Sequence, residues 1–186
     1  RQGNYLCFFP SYAYMHEVYE RFTYLTPQIP TLIQEKRMSE QEREEFLDNF
    51  THDQEETLVG FAVMGGIFGE GIDLVGEKCV GTAVIGVGLP QVCLERNLIR
   101  QHFDESREAG FAYAYQYPGI TRVLQAAGRL IRTEEDRGVL LLIDERFAWE
   151  TTKRLLPPEW PSLKAVRTPT AVLEAVREFW ALPDEQ

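Results

Sequence analysis

The sequence has few cysteines and no long apolar run. Its three cysteines, Cys7, Cys79 and Cys93, are widely spaced, which argues against a disulfide framework and against a metal site of the CxxC type. We expect them to be buried, reduced thiols of a cytoplasmic protein. No apolar run approaches the roughly 18 residues of a membrane span, and no signal-peptide pattern is present, so no membrane partner is expected.

Positive charge is also scarce. The chain has 19 Lys and Arg against 29 Asp and Glu, a formal net charge of −10. Taken alone, this balance argues against nucleic-acid binding, because phosphate contacts usually need a basic surface. A nucleic-acid role would have to depend on a local patch, on backbone N–H groups or on a partner domain.

A phosphate-binding loop of the GxxxxGK[ST] type is absent from the sequence. The chain therefore lacks the lysine and the Mg²⁺-binding hydroxyl of that motif. VLLLIDER at 139–146 imitates the acidic strand that accompanies such loops, with Asp144 and Glu145 at its end. Without the loop, we interpret it as a core strand with a polar end, and we expect the isolated chain to be inactive as an ATPase.

What the chain does contain is an alternation of apolar, β-rich runs with helical patterns. Its 186 residues suffice for one domain, 1–186, and the start at Arg1 rather than Met predicts a piece of a longer protein. Strands are predicted at 5–9, 31–33, 57–64, 82–87, 139–143 and, as a short one, 163–166. Helices are predicted at 12–25, after a cap at Ser39, and at 92–108, 118–132, 149–156 and 170–180.

This alternation predicts a doubly wound α/β domain. Strands that are apolar almost throughout are typical of a parallel sheet with helices on both faces. In such folds, ligands bind outside the carboxyl ends of the strands. Two loops follow strands and are expected at this rim, Pro10–Tyr12 and the glycine-rich segment 65–76.

The segment QAAGRLIR, residues 125–132, combines two arginines with a glutamine and a glycine. In a helix, one face would carry Gln125, Gly128, Arg129 and Arg132, and the core face would carry Ile120, Val123, Ala127, Leu130 and Ile131. No acidic residue lies three or four positions from Arg129, and Gly128 permits close approach to the backbone. Because guanidinium groups bind phosphate through paired hydrogen bonds, one hypothesis is a phosphate-facing arginine pair. The other is a solvated helix face.

The glycine-rich segment GGIFGEGIDLVG, residues 65–76, carries two acids, Glu70 and Asp73. Its glycines allow close backbone approach, but the carboxylates would repel phosphate. They suit contacts to hydroxyl groups or metal-bound water, or pairing with arginines. A flexible loop with solvated acids is the alternative.

Together, GGIFGEGIDLVG and QAAGRLIRTEEDRG resemble motifs V and VI of superfamily 2 helicases of the DinG/XPD branch. GNYLCFFPSY is similar to the strand and loop that open the second motor domain of that branch, and VGLP at 87–90 is similar to its turn after the next strand. The resemblance covers about residues 3–147 in the family's order. The pair of motifs is far more specific than either motif alone.

The resemblance implies a RecA-like second motor domain of an ATP-dependent DNA helicase. ATP with Mg²⁺ would be bound mainly by the N-terminal motor domain of the same protein, which in many members also holds an iron–sulfur cluster. No metal site is expected in this chain. Arg129 and Arg132 would be arginine fingers, with Gln125 and Gly128 beside them.

Further roles follow from the same resemblance. Glu70, Gly71 and Asp73 would belong to the loop that couples nucleotide to DNA, with Asp73 at the ribose. Ser11 and Tyr12 would contact the backbone of single-stranded or forked DNA. Two alternatives stay open: a non-catalytic nucleotide-sensing or interaction module of the same fold, and half of an RNA helicase.

Overall fold

The computed structural model describes residues 1–50, 56–66, 79–128, 137–158, 160 and 163–182. Within these residues, the strands are β1 (Asn4–Phe9), β2 (Thr31–Ile33), β3 (Leu58–Val63), β4 (Gly81–Ile85) and β5 (Val139–Ile143). They form one parallel sheet in the order β2-β3-β1-β4-β5. The helices are α1 (Tyr12–Leu25), α2 (Glu40–Asp48), α3 (Leu94–Arg107), α4 (Tyr117–Ala127), α5 (Glu150–Lys153) and α6 (Pro169–Ala181).

Helices cover both faces of the sheet, which confirms the predicted doubly wound α/β fold. Side chains alternate along β1, so Leu6 and Phe8 face one side and Phe9 faces the other. The first side packs against α2 and α4, where Val123 is fully buried. The second side packs against α1 through Met15.

Three predicted elements differ from the structure. Residues 163–166 do not form a strand. β5, interpreted as a core strand, lies at the edge of the sheet and is only partly buried, because only β4 pairs with it. The segment 149–156 contains only the four-residue helix α5.

The helix predicted at 118–132 begins one residue earlier in the structure and reaches Ala127 within the described residues, and residues 129–132 lie outside them. A π-helical turn, Ala112–Gln116, runs directly into α4, and Pro118 occupies its first turn. The α-helix ends at Ala127, and Gly128 forms the cap by donating its N–H to the carbonyl of Leu124 at 2.8 Å. Glycine disfavours a helix interior, which explains the stop.

The expectation of buried cysteines is wrong for one of the three. Cys79 is buried and Cys7 is partly buried, but Cys93 is exposed. Cys93 directly precedes α3, a helix with no buried residue, so the chain at this position lies on the surface. The cap predicted at Ser39 is confirmed, and Ser39 forms a capping box with Glu42, in which both hydrogen bonds are present. No helix in the described ranges is long and apolar enough to cross a membrane.

Candidate functional site

The carboxyl ends of β1 and β3 lie side by side, as predicted for the two loops that follow them. Phe9 pairs with Val63, and the N–H of Met64 donates to the carbonyl of Phe9 at 2.8 Å. Ser11 and Gly65 therefore follow neighbouring strands at one rim of the sheet. We call this edge, with the loops at 10–12, 34–37, 64–66 and 86–90, the carboxyl rim.

Helix α1 presents its N-terminus at the carboxyl rim. Ser11 is the cap, and its Oγ accepts the N–H of Tyr14 at 3.3 Å. The first turn, Tyr12 to Tyr14, contains no acidic residue. The unpaired N–H groups and the helix dipole make such an end favourable for anions.

Tyr12 is held at the rim by Gln34, which sequence reasoning missed. Gln34 is fully buried directly after β2. Its Nε2 donates to the Tyr12 hydroxyl at 2.8 Å, and its Oε1 accepts the N–H of Val63 at 2.8 Å. A polar residue at the carboxyl end of an apolar strand was the signal that could have identified it.

The surroundings of Tyr12 keep its hydroxyl protonated and place a cation beside it. Burial, and secondly the negative charge of Glu35, raise the pKa of Tyr12 above its ordinary value of 10.0. The Nζ of Lys36 lies 5.8 Å from the centroid of the Tyr12 ring. The rim therefore has a hydroxyl donor and an exposed ammonium close together.

Arg122 on α4 was also missed, although it lies one helical turn before Gln125. Its side chain packs over Gly65, and its Nη1 donates to the carbonyl of Gly88 at 3.4 Å. Both glycines have a positive φ, +67° at Gly65 and +65° at Gly88. No carboxylate in the described part of the chain forms an ion pair with Arg122.

The turn after β4 touches the start of α4 through backbone atoms. A Cβ built on Gly119 would lie 2.6 Å from the carbonyl oxygen of Val87, and one on Gly88 would lie 2.6 Å from the carbonyl oxygen of Gly119. Side chains at these two glycines would separate the elements. Glycine at both positions therefore lets α4 pack directly against the backbone of the VGLP turn.

The remaining predicted residues divide into described and undescribed ones. Gln125 is half-buried on α4, and Gly128 is exposed at its end. Ile120, Val123 and Ala127 are buried, as their helical spacing predicted. Lying outside the described residues are Arg129, Leu130, Ile131 and Arg132, and also Glu70, Gly71 and Asp73.

Asp144, at the end of β5, has a structural partner. Its Oδ1 accepts the Nε of Arg146 at 2.8 Å, and its Oδ2 accepts Nη2 at 2.6 Å. It also caps the turn Glu145–Ala148 by accepting the backbone N–H of Arg146 at 2.9 Å. These hydrogen bonds lower the pKa of the carboxyl. The geometry agrees with a polar strand end rather than a catalytic acid.

Metal ligands are not grouped in the part of the chain that the structure describes, where no three His, Cys, Asp or Glu side chains could hold an ion together. Besides the carboxylate of Glu35, the described rim offers the N–H groups of the α1 N-terminus, hydroxyls and the ammonium of Lys36, which suit anionic ligands.

Comparison with known proteins identifies relatives of this arrangement. The family model described as helicase C-terminal domain matches residues 1–163. The ATP-dependent DNA helicase chl-1 of Caenorhabditis elegans is 36% identical over 99 residues, which are 52% of this chain and 12% of that protein. The ATP-dependent DNA helicase CHL1 of Candida glabrata is 25% identical over 197 residues, 97% of this chain and 24% of that protein.

Solved structures show the same fold. The structure named XPD_APO superposes with a TM-score of 0.67 at 23% sequence identity, covering 88% of this chain and 32% of that one. The match confirms the RecA-like α/β domain. The chain spans no more than a quarter of the two curated relatives above.

Proposed function

The chain belongs to the helicase C-terminal domain family, and on that premise we propose that it is the second motor domain of an ATP-dependent DNA helicase. In this proposal ATP and Mg²⁺ are bound mainly by an N-terminal motor domain of the same protein. The absence of a GxxxxGK[ST] loop from this sequence supports the assignment of ATP binding to the other motor domain.

One observation carries the proposal: Arg122 ties three elements of the carboxyl rim together. It contacts Gly65 at the start of the glycine-rich segment and Gly88 in the turn after β4. Its own helix, α4, carries Gln125 and is capped by the exposed Gly128, which precedes Arg129 in the sequence. A nucleotide-dependent movement of any one of these elements would therefore displace the contacts that Arg122 makes with the other two.

Arg129 and Arg132 act as arginine fingers in this proposal. Transfer of the γ-phosphoryl group needs stabilisation of the charge on its oxygens, and a finger from a neighbouring domain is worth about 10³–10⁵ in rate. The fingers would reach the phosphate only when the two motor domains close on ATP. Binding would then favour the closed state and hydrolysis would release it.

The loop containing Glu70, Gly71 and Asp73 couples this cycle to DNA in the proposal, with Asp73 at the ribose. The single-stranded DNA track includes Ser11 and Tyr12. Support comes from the acid-free N-terminus of α1 and from Lys36 beside Tyr12. These features give a local site for phosphate despite the net charge of −10.

Several finer points of the proposal depend on the parent protein. An iron–sulfur cluster would belong to the other motor domain. The proposal places the parent protein in the cytoplasm and gives it a preference for DNA over RNA.

The test is ATP hydrolysis by the full-length parent protein, measured alone and with single-stranded DNA or RNA of the same length and composition. We expect turnover that DNA stimulates more than RNA. Stronger stimulation by RNA would identify an RNA helicase. A folded parent protein that hydrolyses no ATP under any of these conditions would support the non-catalytic, nucleotide-sensing module instead.

A further inference from the structure

Gln34 connects two parts of the carboxyl rim that are 29 and 22 positions away from it in sequence. Both ends of its side-chain amide are used, the oxygen by the N–H of Val63 and the nitrogen by the hydroxyl of Tyr12. The side chain is fully buried. Burial of an amide is costly unless its polar atoms are paired, so this arrangement is strongly specified.

The direction of these hydrogen bonds determines what Tyr12 can do. A tyrosine hydroxyl has one proton to donate and lone pairs that accept. Because Nε2 of Gln34 can only donate, the Tyr12 oxygen accepts from it and the hydroxyl proton points elsewhere. That proton is available to an acceptor on the outer side of the rim.

We propose that Gln34 is a positioning residue that orients the Tyr12 hydroxyl as a hydrogen-bond donor to a phosphate of single-stranded nucleic acid. The inference depends on the proposed function, since it takes the track at Tyr12 as given. The exposed ammonium of Lys36, 5.8 Å from the Tyr12 ring centroid, supplies a positive charge for the same phosphodiester.

The same amide links this contact to the glycine-rich segment. Val63, whose N–H donates to Gln34, is the last residue of β3. Gly66 lies against the same amide, because a Cβ built on Gly66 would be 3.2 Å from the Nε2 of Gln34. A displacement of this strand end would shift the amide and with it the Tyr12 hydroxyl. Gln34 thereby couples the start of the glycine-rich segment to the nucleic-acid contact.

The decisive variant is Gln34→Glu in the full-length parent protein, studied at pH 8. A carboxylate keeps the acceptor for Val63 but has no N–H for Tyr12, so it must accept the tyrosine proton. The outward donor is lost while the length of the side chain is kept. Tyr12→Phe removes the same donor, and with it the acceptor of the Gln34 Nε2 proton, but leaves the side chain of Gln34 and its hydrogen bond from Val63 in place. Tyr24→Phe, at a tyrosine that is 78% exposed on α1, is the matched control.

We expect Gln34→Glu and Tyr12→Phe each to weaken binding of a fluorescent oligothymidine roughly tenfold, the usual scale for a hydrogen bond to a charged group. The double variant should be no weaker than either single variant, because both remove one donor. Tyr24→Phe should have no effect. A merely structural role for Gln34 would lower the melting temperature of Gln34→Glu but leave the affinity of Tyr12→Phe unchanged.

Two results would overturn the inference: unchanged affinity in Tyr12→Phe, or fully additive losses in the double variant. Tyr12→Ala separates this failure from failure of the proposed function. If Tyr12→Ala weakens binding but Tyr12→Phe does not, the ring contacts DNA and Gln34 has no orienting role. If Tyr12→Ala also binds normally, the track at Tyr12 is itself wrong.

Discussion

Arg122 occupies the space that a side chain at Gly65 would need. A Cβ built on Gly65 would lie 2.7 Å from Nε and 3.0 Å from Cδ of Arg122, and the backbone of Gly65 has φ +67°. Two features therefore favour glycine at this position: its backbone conformation, and the Arg122 side chain that covers it. Since the far end of an arginine can move, the conformational requirement is the stricter one.

Gly65→Ala should destabilise the purified chain by about 1–2 kcal/mol, the cost of a left-handed backbone for a residue with a Cβ. Adding Arg122→Ala should remove the clash but leave this cost. The measurement is urea unfolding of the single and double variants. Gly128→Ala is the control, because its φ is −65°. Equal unfolding midpoints for Gly65→Ala and the unchanged chain would contradict the assignment.

The fold was predictable because its main signals are local. Buried strands such as LVGFAV are apolar at every position, and the spacing of Ile120, Val123 and Ala127 identified the core face of α4. The edge position of β5 was not predictable, since its composition, VLLLI, is that of a central strand. Strand order depends on long-range pairing that composition does not encode.

The candidate site was predicted less completely, for a different physical reason. The rim position of Ser11 and Tyr12 was predictable because they follow a strand. Their contact with DNA and the role of Gln125 come from the family resemblance and stay predictions. Gln34 and Arg122 act through contacts to residues more than 20 positions away, which no local pattern reports. Their positions in the sequence still offered a signal, because Gln34 directly follows a strand and Arg122 lies on the same helix as Gln125.

Asp144 should contribute to stability at neutral pH and lose that contribution in acid. Its folded pKa is lowered, first by the side-chain hydrogen bonds from Arg146. The stabilisation is therefore fully present above the unfolded value of about 3.9 and is lost as pH falls through the lower folded value. Asp144→Asn should unfold more easily than the unchanged chain at pH 7, by about 1–2 kcal/mol.

The measurement is thermal unfolding of both proteins at pH 7 and at successively lower pH down to about 2. The difference between them should shrink below about pH 4. Lys164, which pairs with Glu178 at the surface, offers a control in Lys164→Ala, where a small effect is expected. A difference for Asp144→Asn that grows in acid would show that the pair does not act as described.

The isolated chain should bind single-stranded DNA weakly and with clear dependence on salt. Its net charge of −10 opposes binding, while the α1 N-terminus and Lys36 favour it. Each phosphate neutralised by a cation on a single strand adds about 0.7 to the slope of log affinity against log salt. Lys36→Ala should lower that slope by about this amount, and Arg177→Ala, on the exposed face of α6, should not. Tight binding that ignores salt would contradict a phosphate contact.

Arg129 and Arg132 give the most direct test of the motor proposal. In the sequence, Arg129 follows Gly128 directly and Arg132 follows it by four positions, and Arg129 has no acidic residue three or four positions away. In the full-length parent protein, Arg129→Ala and Arg132→Ala should each lower ATP turnover by roughly 10³-fold, as expected for loss of an arginine finger. Stability should change by about 0.5 kcal/mol or less if the side chains are exposed.

Arg177→Ala provides the matched control, an exposed arginine on α6 that should leave turnover unchanged. DNA binding without nucleotide should survive in both finger variants, because the proposed track lies at Ser11 and Tyr12. A solvated helix face predicts the opposite pattern, with turnover within a few-fold of the unchanged protein. That result in correctly folded variants would remove the arginine fingers from the mechanism and leave the chain as a domain that contacts DNA without completing the ATP site.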